Sequence, residues 1–319
     1  LAYFKTHYYG GIRKYQWVTV PLGLHGVVVK ANGETVKVTI GDKPTDPQFV
    51  INDLLPHLGR EQGKKPLNEA IPSETLNILI GTKPEKDDDG SDRVKLAILK
   101  YLNETYGITE EDFISAELEA VPAAKARELG FDRTLIGAYG HDDRVCAYAE
   151  LHALFDLEIP EKTAVCIFAD KEEIGSEGVS GMMSEAFDYF MESMCKTQGT
   201  DLRTCYSKSF CLSADVTAAY DPNFAEVYEK RNSAFVNYGV GLCKYTGSGG
   251  KGGASDASAE VVGYVRNLFN KEGAIWQRAE LGKTDAGGGG TVAKFMAQRN
   301  IDTLDAGVPV LSMHAPYET

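Results

Sequence analysis

Between Asp170 and Glu173 the chain reads Asp-Lys-Glu-Glu, directly after the apolar run Ala164-Val165-Cys166-Ile167-Phe168-Ala169. Adjacent carboxylates suit a division of labour. One can ligate a metal ion while its neighbour, pointing elsewhere, holds a proton. Residues of the same kind recur at three other places. Asp142-Asp143 stand where a glycine-bearing turn (Gly137, Gly140) meets a helical pattern, Asp215 closes the apolar run from Ser209, and His314 follows the run Val308–Met313. Carboxylates joined by one imidazole are hard-to-borderline ligands, suited to Zn²⁺, Co²⁺ or Mn²⁺. Two such ions about 3.5–4 Å apart need a bridging carboxylate and several terminal ligands. Each residue also has a plainer reading: an acidic turn at 170–173, a helix cap at Asp142, a turn residue at Asp215, a core histidine at His314. The joint pattern is narrower than any member.

The elements that must position these residues follow from periodicity. The run 163–170 reads as a buried strand of a parallel sheet. In open α/β sheets the C-terminal ends of such strands are where ligands bind. Further strands are expected at Ser209–Asp215, Ala274–Glu280 and Val308–Met313. Helices are expected over 142–155, 179–197, 257–269 with Asp256 as its cap, and 291–299. Met182, Met183, Phe187, Phe190 and Met194 read as a core stripe of the second helix. This alternation predicts an α/β fold with a mixed, largely parallel sheet flanked by helices.

Residues 13–138 have a different character. They are β-rich with a helix of their own and no catalytic cluster. Asn32-Gly33 between two β-branched runs predicts a type I′ hairpin over His25–Ile40. A strand at Leu76–Ile80, a helix over Arg93–Tyr106 capped by Ser91, and a strand at Phe113–Val121 follow. Asp87-Asp88-Asp89-Gly90 reads as a solvated turn, and Pro44–Pro72 as a turn-rich stretch containing Leu55-Pro56-His57-Leu58.

With 319 residues, 43% of them hydrophobic, the chain can bury a sizeable core. A net charge of −13 argues against a nucleic-acid partner, which needs a basic face. No run approaches about 18 apolar residues, so no membrane-spanning helix is expected. Six cysteines without a C-x-x-C pair predict reduced thiols and a cytoplasmic location.

Five stretches then resemble, in order, the diagnostic blocks of the M18 metallo-aminopeptidases. They are AYGHDDRVCAY (138–148), DKEEIGS (170–176), SADVTAAYDPN (213–223), KYTGSGGKGGASDASAE (244–260) and DAGVPVLSMHAPYE (305–318). The resemblance runs from about Tyr9 to Glu318. It implies a zinc-peptidase type of catalytic domain, residues 1–12 and 139–319, with an inserted dimerisation domain at 13–138. It implies removal of the N-terminal residue from peptides by a water activated at two divalent metal ions, zinc before cobalt or manganese. By position, Asp142 would bridge the metals, Glu172 would be the general base, Glu173 and His314 would ligate one metal and Asp215 the other. A cis peptide after Asp142 is also implied. His57, in a Pro-His-Leu block, and Lys244 would serve substrate or intersubunit contacts in a homo-oligomer of dimers, a tetrahedral dodecamer.

Three departures qualify the resemblance. The family's N-terminal His-x-Asp motif has no counterpart here, since His7 is followed by Tyr8-Tyr9, and the family's closing helix is missing. The expectation is a catalytic domain incomplete at both ends, with one metal site short of a ligand. Ala218 and Asp221 stand where the aspartyl branch has histidines, which favours neutral over acidic N-terminal residues. Lys171 stands where relatives often carry histidine. Two other readings fit the residues less well: a related dinuclear amidohydrolase, such as a carboxypeptidase or deacylase, and a non-catalytic scaffold or cargo protein.

Overall fold

Alternation decides the first sheet. In Thr35–Ile40, TVKVTI, the residues Val36, Val38 and Ile40 turn inward while Thr35, Lys37 and Thr39 stay exposed. This is the period of a strand with one buried face. The computed structural model describes residues 1–86 and 90–319. The acidic turn expected at Asp87-Asp88-Asp89 lies outside the described residues. The chain forms two compact units, Leu1–Tyr139 with His314–Tyr317, and Gly140–Met313 with Glu318–Thr319.

The first unit is built from antiparallel sheets. Strands β1 (Ala2–Phe4), β4 (Val50–Ile51) and β5 (Ile78–Gly81) form one, in the order β1-β5-β4. Strands β2 (Leu22–Val29), β3 (Thr35–Ile40) and β6 (Ala116–Pro122) form another, with β2 central. A hairpin of β7 (Arg127–Leu129) and β8 (Leu135–Gly137) follows. Leu22, Val28, Ile78 and Ile108 are buried in a shared core, each stabilising the unit by about 1.5–3 kcal/mol. Helix α1 (Leu67–Ala70) is a single turn. Helix α2 (Arg93–Tyr106) starts at Asp92 without a side-chain cap, so Ser91 does not play the expected part. It ends where Gly107 takes the left-handed conformation, φ 66°.

The hairpin turn differs from the expected type I′. Gly33 is left-handed (φ 84°) but Asn32 is not, and the loop holds three residues between the paired Lys30 and Glu34. The Asn32 side chain accepts from the Glu34 N–H at 2.9 Å. That local bond satisfies the turn without a left-handed Asn32, giving the longer loop with one left-handed glycine.

The second unit holds helices α3 (His141–Phe155), α4 (Ala186–Thr197), α5 (Leu202–Ser207), α6 (Ala259–Glu272) and α7 (Ala293–Gln298). Its main sheet uses β9 (Phe210–Ser213), β11 (Val240–Cys243), β12 (Trp276–Arg278) and β13 (Asp302–Gly307), in the order β12-β11-β13-β9. β11 runs parallel to β12 and antiparallel to β13, and β13 runs parallel to β9. The architecture is mixed α/β. Val261 and Val265, one turn apart on α6, pack on Leu242, Leu304 and Ala306. Met182, Met191, Tyr206, Met296 and Ile301 form a separate cluster under α4, α5 and α7. Beyond the main sheet, β10 (Thr217–Ala218) pairs parallel with β14 (Pro309–Val310).

The structure departs from the sequence pattern at four places in this unit. The run 163–170 joins no sheet among the described residues. Val165 is 38% exposed and Phe168 54% exposed, while Ile167 and Ala169 pack on the methionine cluster. An apolar run reports surface to be covered. A strand also needs a neighbour's N–H and C=O groups, and β9, β11, β12 and β13 find theirs in one another. Helix α4 begins at Ala186 rather than 179, because 176–185 forms successive turns around Ser176 and Gly181. Helix α6 is capped by Ser258, whose Oγ accepts from the Val261 N–H, not by Asp256. The last strand is two residues, Pro309–Val310, and the longer β13 precedes it, where two aspartates break the apolar pattern in the sequence.

Candidate metal centre

Asp142 and Asp143 sit in the first turn of α3, but their backbone is not helical. Asp142 has φ −83°, ψ 107° and Asp143 φ −121°, ψ 43°, and the peptide between them is cis. The helix N-cap is Gly140, which has no side chain to offer the first amides. The Asp142 N–H is instead taken by Glu318 Oε2 at 3.1 Å.

Asp215 lies between β9 and β10, where the chain leaves the main sheet for the β10–β14 pair. Gly307, at the end of β13, packs flat on its carbonyl: a Cβ there would come within 1.5 Å of the Asp215 oxygen. Only glycine lets the backbones meet so closely.

Asp142, Asp143 and Asp215 each offer a carboxylate oxygen within 4.8 Å of the others, and Asp142 and Glu173 bring oxygens within the same distance. Burial pushes the Asp215 carboxyl up to about 9, helped by the charges of Asp142, Asp143, Glu172 and Asp305. Burial likewise raises Asp143 to about 7 against the opposing bond from the Cys146 thiol. Asp143 Oδ1 is buried without a hydrogen-bond partner. Hard oxygen donors that repel one another, one of them orphaned, are a donor set that a divalent cation would satisfy. The residues therefore fit a metal.

Glu172 and Glu173 occupy a tight turn, Glu172–Ile174, entered through left-handed Lys171 (φ 59°) and left through Gly175 (φ 89°). The Ser176 N–H donates to the Lys171 carbonyl at 2.8 Å and the Gly175 N–H to that of Glu172 at 2.8 Å. Asp170 stabilises the approach: it accepts from the Lys171 N–H at 2.9 Å and from Ser180 Oγ at 2.5 Å. Glu172 is half-buried and Glu173 exposed.

Three further site residues are expected from the sequence: His57, Lys244 and His314. His314 and His57 belong to the first unit. The His314 Nδ1–H donates to the Gly11 carbonyl at 3.0 Å, which puts the ring's lone pair on Nε2, the tautomer of a metal-ligating histidine held by a backbone carbonyl. His57 is exposed on a loop with Leu54, Leu55 and Leu58. Lys244 donates from Nζ to the Ala257 carbonyl and lies 4.5 Å from the Tyr245 ring centroid, so it ties the ends of the glycine-rich 244–257 loop together.

Sequence reasoning passed over Asp305 and Glu318. Asp305 is buried in β13, accepts from Thr291 Oγ1 at 2.8 Å, and is raised to about 6 by burial. Its partner comes from the turn before α7, so no local signal marks it. Glu318 closes the block at 305–318, and nothing nearby in sequence announces its burial.

The whole chain, residues 1–319, matches the family model described as aminopeptidase I zinc metalloprotease (M18). The chain belongs to the M18 aminopeptidase family. A probable M18 family aminopeptidase 1 of Clostridium acetobutylicum is 49% identical over 322 residues, covering 100% of this chain and 69% of the relative. The crystal structure of an M18 aminopeptidase from Thermotoga maritima superimposes with a TM-score of 0.96 at 48% identity, covering 99% of this chain and 71% of that one. More distantly, the mApe1 dodecamer of Saccharomyces cerevisiae is 24% identical with a TM-score of 0.70, covering 97% and 67%, and shares the fold. The protein is thus an M18 metallo-aminopeptidase, and its family is one of zinc enzymes.

The positions at which the sequence is expected to depart from the family pattern are placed as follows. Ala218 is a β10 residue paired with Val310. Asp221 is occupied as a turn cap, accepting from the Asn223 N–H at 2.9 Å and Nδ2 at 3.0 Å. Lys171 has a left-handed backbone, φ 59°, and nothing in the structure explains why lysine stands there.

Proposed function

We propose that this chain removes the N-terminal residue from peptides, neutral residues in preference to acidic ones, at a site for two divalent metal ions. The observation that carries the reading is the triad of carboxylates at Asp142, Asp143 and Asp215, with an orphaned buried oxygen and a strongly raised Asp215. Asp142 would be shared between the ions, Asp215 would hold one, and Glu173 and His314 the other. Zinc is favoured, with cobalt and manganese as alternatives. Bound there, the metals supply Lewis acidity to the scissile carbonyl and lower the pKa of a water.

Glu172 is the general base in this reading. Its carboxylate accepts the proton of the attacking water and returns it to the leaving amine. Its turn leaves Glu173, the next residue, to a different task, which is the division of labour that the sequence suggested. The preference for neutral residues is supported by Ala218 and by an Asp221 already committed to its own turn.

In the same proposal, 13–138 is the inserted dimerisation domain, His57 reaches toward a neighbouring subunit, and dimers build a tetrahedral dodecamer. Exposed Leu54, Leu55 and Leu58 around His57 support an interface there. Lys244 serves by shaping the 244–257 loop for substrate. Six cysteines, all thiols, fit a cytoplasmic setting, and no helix among the described residues is long and apolar enough to cross a membrane. The deciding experiment is metal analysis by plasma emission together with a panel of aminoacyl-anilides. Metal-dependent cleavage of neutral aminoacyl substrates supports the reading. Metal-free protein, or cleavage confined to C-terminal residues or acyl groups, overturns it.

A further inference from the structure

Glu318 is 2% exposed, among the largest fully buried side chains of the chain. A carboxylate is rarely buried to that degree unless its oxygens are engaged. Its Oε2 accepts from the Asp142 N–H at 3.1 Å, across 176 positions of sequence. That amide needs a partner from elsewhere. It lies in the first turn of α3, where amides have no intrahelical acceptor, and the N-cap is a glycine with no side-chain oxygen. A carboxylate is also the acceptor that the positive end of a helix favours.

Glu318 is itself held firmly. Leu311 and Thr319 exchange both backbone bonds, Leu311 N–H to the Thr319 carbonyl at 2.7 Å and Thr319 N–H to the Leu311 carbonyl at 3.1 Å. Leu311 directly follows β14, which pairs with β10, two residues beyond Asp215. The Asp142 backbone is therefore tied, through Glu318, to the same strand pair that follows Asp215.

We propose that Glu318 is a positioning residue for the metal centre: by holding the Asp142 N–H, it aims the Asp142 carboxylate at the ion or ions it ligates. The inference rests on the reading of Asp142 as a metal ligand. Partners of this kind behind a ligand typically govern about 10–100-fold in metal affinity.

The test uses the full chain, zinc ion as the probe, and competition with a chromophoric chelator, with hydrogen exchange of the Asp142 amide measured in chelator-treated protein. Glu318→Leu removes the acceptor at similar volume. It should lower zinc affinity about 10–100-fold and speed Asp142 amide exchange. Glu318→Gln keeps an acceptor oxygen and should stay within a few-fold of the parent in both. A purely structural role would lower stability in both variants without separating them in zinc affinity. If Glu318→Leu does not fold, Glu318→Asp, which draws the carboxylate back by one methylene, should bind zinc more weakly than Glu318→Gln. Folded Glu318→Leu or Glu318→Asp with parental zinc affinity and parental exchange overturns the proposal. Asp142→Ala is measured alongside. If it loses zinc while the Glu318 variants do not, Glu318 alone is misassigned. If it keeps zinc, the reading of the site fails and this inference falls with it.

Discussion

Asp215→Asn should stabilise the metal-free protein while weakening its hold on metal. In the folded chain the Asp215 carboxyl is raised from 3.8 to about 9 by burial and by neighbouring carboxylates. A raised acid keeps its proton in the folded state where the unfolded chain has released it. The associated stability is complete below about pH 4 and is lost as pH climbs through the window from about 4 to about 9. At pH 7 that window is about three units deep, at about 1.4 kcal/mol each, giving about 4 kcal/mol as an upper bound. Asparagine removes the titration, but its amide must still be buried, so a net gain of about 2 kcal/mol is expected. The assay is denaturant unfolding of both proteins from pH 5 to 8 in chelator, then repeated with zinc. The gap between variant and parent should widen with pH in chelator. With zinc it should invert, because a ligand that binds only the folded state stabilises the parent more. A variant that is less stable than the parent in chelator, or a gap independent of pH, would refute the electrostatic account of this cluster.

Other outcomes follow from the same contacts. Glu172→Gln should retain metal and lose about 10²–10⁴-fold in kcat, and near-normal turnover with normal metal content would remove Glu172 from the role of base. Asp142→Ala should deplete both metals and His314→Ala mainly one, read by plasma emission; unchanged metal in both would mean the ligands are misassigned. Arg299 holds Asp188 by two bonds of 2.8 Å, with Tyr206 donating to the same carboxylate. Arg299→Ala should cost about 2–3 kcal/mol at pH 7. The Arg299 bond depresses Asp188, so this stability is present above the unfolded pKa and fades as pH falls below about 4; a loss that persists unchanged at low pH would exclude the ion pair as its source. Mixing inactive Glu172→Gln subunits with His57→Ala subunits should restore activity if His57 acts across an interface, and full activity of His57→Ala alone ends that idea.

The sequence by itself determined the family, the candidate positions for its chemistry and the short-range elements. Asp142, Glu172, Glu173, Asp215 and His314 stand out in the sequence because carboxylates and one imidazole recur there in a family order, and their assignment as ligands and base remains the proposal that the metal and activity measurements above test. The hairpin of β2 and β3 and helix α2 were legible because alternation and period 3.6 are properties of neighbouring residues. Only the tertiary structure decided what depends on distant partners. The run 163–170 has the composition of a strand, yet whether it pairs is set by which other strands compete for edges. Nothing in the sequence marks Asp305 for burial; the bond that satisfies it comes from Thr291, in the turn before α7. Nothing in the sequence singles out Glu318; its role is set by the fold, which brings it under the Asp142 amide. The raised Asp215 belongs to no segment, because it is produced by burial and by carboxylates drawn from three other stretches of the chain. Periodicity is written locally and survives in the sequence. Desolvation and charge repulsion act through space, and they exist only once the chain has closed on itself.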